Sequence, residues 1–199
     1  MTKPKFNSPE LYLLKNWANA RLLEDSVEKV REKYKDLFSE VLDRVNGKHK
    51  ELNCRGMRLD DDGGYVNVGL GRETWPASDH RWPSGLWIGG VALDDLASEE
   101  GEAPYAAVWI SPPKGGKLDL KGATRTIEAE AKRLKLEVCR CEDDDGIEWT
   151  LPESRQELLA LLEKEDSRGF IECMVAHFEL LTRFTDVLNQ VFDAKRKRK

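Results

Sequence analysis

The sequence predicts an α+β fold: a mostly antiparallel sheet of about five to six strands, flanked by two long amphipathic, coiled-coil-like terminal helices. Three observations carry this prediction. Apolar residues near both ends recur at alternating spacings of four and three, the signature of a helical seam. The middle holds short alternating or apolar runs bounded by turn residues. Those runs follow one another closely, and short hairpins join antiparallel neighbours. The whole is read as a single domain over residues 1–199. Helix 8–46 comes first, a β-rich core with one helix fills 54–151, C-terminal helices occupy 152–194, and a basic tail ends the chain at 195–199.

Ser8-Pro9 opens the first helix, since serine caps a helix N-terminus and proline suits its first turn. Asn46-Gly47 offers a stop. Between them Leu23, Val27, Val30, Tyr34, Leu37 and Val41 form the seam, Leu13 and Ala20 extend it backward, and Trp17, Phe38, Leu42 and Val45 widen it. A helix of about 38 residues is about 57 Å long, more than a small sheet covers. At the other end Phe170, Met174, His177, Leu181, Phe184, Leu188 and Val191 repeat the pattern, after a shorter helix within 152–165. Each seam exceeds what one partner helix needs, which points to a homo-oligomer.

Between the helices, Tyr65 to Leu70 alternates, placing Val66, Val68 and Leu70 on one face. Leu86 to Leu93 and Tyr105 to Ile110 read as further strands, and Ala123 to Leu134 as a helix. Leu136 to Val138 leads into a hairpin that turns through Asp143-Asp144-Asp145-Gly146 and returns as Ile147 to Leu151. Asp60-Asp61-Asp62-Gly63-Gly64 makes a similar turn earlier.

Charged residues make up 35% of the 199 residues and mean hydropathy is −0.60, a composition of exposed helix surface rather than of a membrane protein. No stretch reaches the ~18 unbroken apolar residues of a spanning helix, and the first residues lack the apolar core of a signal peptide. A cytoplasmic location with no membrane partner is expected. The four cysteines, Cys54, Cys139, Cys141 and Cys173, then read as reduced thiols. Net charge is −5, yet Lys195, Arg196, Lys197, Arg198 and Lys199 are all basic. Removing them leaves 27 basic against 37 acidic residues, a net −10 that excludes a broad duplex-binding face. The tail itself can bind phosphates without sequence preference, or simply extend a helix end into solvent.

The most unusual stretch is the Trp-, Pro- and Gly-rich segment 71–90. Arg72, Trp75, Asp79, His80, Arg81 and Trp82 are its candidate binding residues, because Trp and Arg dominate recognition hot spots. The competing reading is a flap whose indoles pack down on the sheet. Asp79-His80 lacks a nucleophile nearby, so no catalytic residue is assigned. Pro112 to Lys117 lacks the spacing of a phosphate-binding loop, and neither Asp triplet has the ligand pattern of a calcium loop. Cys173 and His177 stand four apart, but one pair does not make a metal centre, so no metal and no cofactor is expected. No motif is specific enough to name a family. These readings converge on a non-catalytic interaction or regulatory module. It self-associates through long helices, presents the Trp-rich loop to a protein partner, and has a nucleic-acid link through the tail. The alternative is a small enzyme or ligand-binding domain with a pocket under residues 72–87.

Overall fold

A computed structural model describes residues 8–57, 67–76, 83–98, 100–114, 116–141, 145–164 and 167–196. The chain divides into two compact units, residues 1–36 and 37–199.

In the first unit, α1 (Ser8–Lys15) is followed by a turn at Asn16 and the start of α2 (Trp17–Lys48). The turn at Asn16 departs from the uninterrupted helix the sequence predicts. Its side-chain amide donates to the Tyr12 carbonyl at 2.9 Å, beside the backbone bonds from Asn16 to Tyr12 and from Ala20 to Asn16 that carry helical pairing across the turn. Tyr12, Trp17, Leu22, Leu23, Val27 and Val30 are between 49% and 68% exposed. The first half of the predicted seam is therefore open to solvent.

The second unit takes in the end of α2, and there the same periodicity is buried: Phe38, Val41, Leu42 and Val45 are inside. Phe38 meets Phe170 edge to face at 5.6 Å. Gly47 does not stop the helix, which runs on to Lys48. The chain turns after it, where the Leu52 amide donates to the His49 carbonyl at 2.9 Å and Leu52 is buried. Lys48 and His49 both reach Glu179, at 2.8 and 3.1 Å. Lys48 first and His49 after it hold the Glu179 carboxyl below the usual carboxylate range.

The sheet comprises β1 (Asn53–Met57), β2 (Val68–Gly71), β3 (Gly85–Gly89), β4 (Tyr105–Trp109), β5 (Cys139–Arg140) and β6 (Gly146–Thr150). Their order is β1-β2-β3-β4-β6-β5, and every pairing is antiparallel. The α+β class and the six-stranded antiparallel sheet agree with the sequence. Register aligns Leu70 with Leu86, Leu86 with Val108 and Val108 with Ile147, so one apolar row crosses four strands. Trp149 extends that face and stacks at 5.9 Å on Phe184, which follows α6 (Arg168–Thr182). Helix α6 packs on β3 and β4, while α4 (Leu120–Arg133) packs on β6. Arg140 clamps the edge strand β5 to α4 through a bidentate pair with Glu128, at 2.5 and 2.6 Å.

Residues missed by pattern reading form α3 (Leu93–Ala97), which lies against α5 (Arg155–Leu162). The C-terminal seam is also divided: α6 ends at Thr182 and α7 (Thr185–Arg196) follows. Arg183 and Phe184 make three-residue-back bonds to Leu180 and Leu181, tightening the last turn and redirecting the axis. Phe170, Met174, Leu181, Phe184 and Leu188 are buried as the seam predicts, but Phe178 rather than His177 fills the middle.

On the opposite face of the sheet, the Trp87 indole lies over two glycines. A methyl group on Gly69 would overlap the ring itself, and one on Gly85 would stand 3.0 Å from its Nε1. Gly47, by contrast, is helical with nothing within 4 Å of an added methyl. The two positions predict opposite outcomes in a melting curve. Gly69→Ala should destabilise by about 1–3 kcal/mol through overpacking. Gly47→Ala should stabilise by about 0.5–1 kcal/mol by removing glycine's freedom from a helix interior.

Candidate functional site

Three places in the molecule combine chemistry or recognition potential with defined geometry. The first is the Trp-rich loop. Trp75 is 2% exposed; its indole N–H donates to Asn189 Oδ1 at 3.0 Å and its ring tilts against Phe192 at 6.3 Å. It anchors the loop to α7. The loop is closed at its base. The Ser84 amide donates to the Pro76 carbonyl at 3.0 Å, and Ser84 Oγ accepts from the Ser111 amide at 2.8 Å. Arg72 is half-buried at the loop's start. Asp79, His80, Arg81 and Trp82 lie outside the described residues, as do Lys197, Arg198 and Lys199 of the tail; Lys195 and Arg196 fall in the last turn of α7.

The second place is the open seam of α2. Leu23, Val27 and Val30 stand on one face at four- and three-residue spacing, and all three are exposed. The helix around them is charge-balanced. Over residues 17–36, Glu24, Asp25, Glu28, Glu32 and Asp36 face Arg21, Lys29, Arg31, Lys33 and Lys35, five against five.

The third is a side-chain cluster that no sequence spacing reveals. Cys173 and His177 sit one turn apart on α6, on the flank of its buried row. Glu153 comes from the turn between β6 and α5. A capping box fixes that turn: Ser154 Oγ accepts from the Glu157 amide, and the Glu157 carboxylate accepts from the Ser154 amide at 2.8 Å. Leu158, one turn on, is fully buried, and α5 packs on α6. The result sets Glu153 Oε2 at 2.7 Å from His177 Nε2. His177 is 11% exposed and Glu153 31%. Donor atoms of Glu153, Cys173 and His177 all lie within 4.8 Å of one another. Burial first, then the charge of Glu153 and a hydrogen bond to it, push the Cys173 thiol up to about 12.

Cys141 is pushed up to about 12 in the same way, by burial and then by Glu148. Neither thiol is therefore a thiolate at neutral pH, and neither is activated as a nucleophile. Tyr105 donates to Asn67 Oδ1 at 3.1 Å, and its hydroxyl is also raised, by burial first and then by Glu102.

No protein-family profile, curated protein or solved structure matches this chain. The three places stand on their own geometry.

Pattern reading dismissed the Cys173–His177 pair for want of a third donor. Glu153 is that donor, twenty residues before Cys173 on another element. The sequence reading placed Glu153 within the short helix 152–165 and gave it no ligand role.

The anchoring role of Trp75 is testable by melting. Trp75→Ala should lower stability by about 3–5 kcal/mol. Trp75→Phe keeps a ring against Phe192 and should lose only about 1 kcal/mol with the bond to Asn189. An alanine variant that melts like the parent would return Trp75 to the list of contact residues.

Proposed function

We propose that this protein is a non-catalytic interaction module that self-associates through the N-terminal half of α2 and holds its Trp-rich loop on a rigid base. The observation that carries the reading is the solvent exposure of Leu23, Val27 and Val30 on a seam whose continuation, Phe38 to Val45, is buried. A heptad-like row left open over several turns is what one helix offers another. The partner proposed is a second copy of this chain. Self-pairing of an acidic protein meets repulsion, but the open segment carries as many basic as acidic residues. Two such helices can therefore approach without opposing like charges, and their intermixed signs leave room for mutual ion pairs.

The loop supports the recognition half of the proposal differently. With Trp75 turned inward and Ser84 closing the base, contact with a partner falls to Arg81 and Trp82 between them. The basic tail that follows α7 adds a non-specific attraction for phosphates. Deleting residues 195–199 should flatten the salt dependence of any DNA or RNA binding, equally for all sequences.

Light scattering tests the association directly. The full-length chain at micromolar concentration should give about twice its 22.7 kDa mass. Val27→Glu combined with Val30→Glu should return it to the single-chain mass without lowering the melting temperature measured at high dilution. A parent protein that stays at the single-chain mass across a concentration series would defeat the reading, and the seam would then serve a different helix.

A further inference from the structure

We infer that Glu153, Cys173 and His177 form a three-ligand binding site for a zinc-class divalent cation. This inference is independent of self-association, since all three residues belong to residues 37–199.

The donor set itself argues for the class of ion. One imidazole nitrogen, one sulfur and one carboxylate oxygen match the borderline preferences of zinc, while the hard cations magnesium and calcium take oxygen ligands almost alone. The spacing fits as well. Cys173 and His177 are four apart on a regular helix, so both side chains leave the same face one turn from each other. Bond lengths of about 2.0–2.3 Å at a tetrahedral ion place its ligand atoms about 3.3–3.6 Å apart. The three donor atoms already lie within 4.8 Å of one another. The His177–Glu153 contact, at 2.7 Å, needs to open by less than about 1 Å to admit the ion.

Two further features favour a cation there. Glu153 Oε2 faces His177 Nε2 at 2.7 Å, so the carboxylate and the imidazole already meet where an ion would sit. A thiolate, a carboxylate and a neutral imidazole around a dication also sum to zero charge, which suits a half-buried place. The carboxylate is held by a rigid element, because the capping box fixes the backbone of its neighbour Ser154. The ion would tie the turn before α5 to the middle of α6, adding to the Glu153–His177 contact that already joins them.

Cobalt(II) is the probe. Titrated into the reduced full-length protein, it should bind once per chain, with a sulfur-to-cobalt charge-transfer band that zinc abolishes by displacement. Three other cysteines could produce such a band, so the site is assigned with variants. The band should persist in the combined Cys54→Ser, Cys139→Ser, Cys141→Ser protein and vanish in Cys173→Ser. Glu153→Gln, a conservative change at the carboxylate ligand, should weaken zinc binding by about 100-fold or more, beyond the usual effect of a residue that only supports a ligand. Zinc should also raise the parent's melting temperature, and magnesium should not. A parent protein that shows neither the band nor the zinc-dependent melting shift overturns the site. So does a band that survives in Cys173→Ser but disappears in the triple variant, which would place the ion at Cys139 and Cys141.

Discussion

Burial of β3 on both faces is the constraint on which the structure of residues 37–199 depends. Every residue from Gly85 to Gly89 is buried, so this strand needs a cover above and below. On one face the cover is α6, and the aligned Leu70, Leu86, Val108 and Ile147 give that helix a continuous floor. On the other face β3 supplies its own cover in Trp87. The indole is accommodated only because the flanking positions Gly69 and Gly85 lack side chains. Its N–H donates to the Pro83 carbonyl at 3.2 Å, and its ring lies 5.6 Å from Trp109, so the polar edge is satisfied and the apolar face is stacked. Strand glycines are usually weak points. Here they are the space into which a fully buried tryptophan fits.

That floor decides where chemistry can sit. Because Phe170, Met174, Phe178 and Leu181 are committed to the sheet, the helix surface beside them is set in direction, and Cys173 and His177 fall along its edge. The β6–α5 turn arrives at that edge because β6 pairs with β4 in the same sheet and α5 must bury Leu158. Packing of apolar groups thus brings a carboxylate from one element to an imidazole and a thiol on another. Nothing in the polar residues themselves draws them together over that separation.

The two kinds of information were not equally legible in the sequence. Period-based features were visible: the apolar stripe from Phe38 to Val45 and the strands around Val68, Leu86, Tyr105 and Ile147. Each depends on neighbours within one element. Whether a seam is covered was not visible, because Leu23 to Val30 and Phe38 to Val45 share one periodicity and differ only in what lies over them. The end of α6 at Thr182 was also hidden, since neither glycine nor proline marks it. Trp75 looked like a contact residue because its partner Asn189 is 114 residues away. Glu153 was hidden for the same reason, its partners lying across a turn and a helix.

The Glu153–Cys173–His177 cluster contains the residue types of an acyl-transfer triad, so its electrostatics have to decide between two chemistries. A cysteine nucleophile needs a lowered thiol pKa, supplied by a cationic imidazole or a helix N-terminus. Cys173 has the opposite surroundings: it lies within α6 rather than at its start, it is half-buried, and the nearest charge is the carboxylate of Glu153. In a triad the carboxylate orients the histidine from the far side of the ring, leaving the near nitrogen for the nucleophile. Here the carboxylate takes the Nε2 side of the ring, and its charge disfavours a thiolate at Cys173. Three potential ligand atoms within 4.8 Å of one another suit the proposed cation better than a relay of protons.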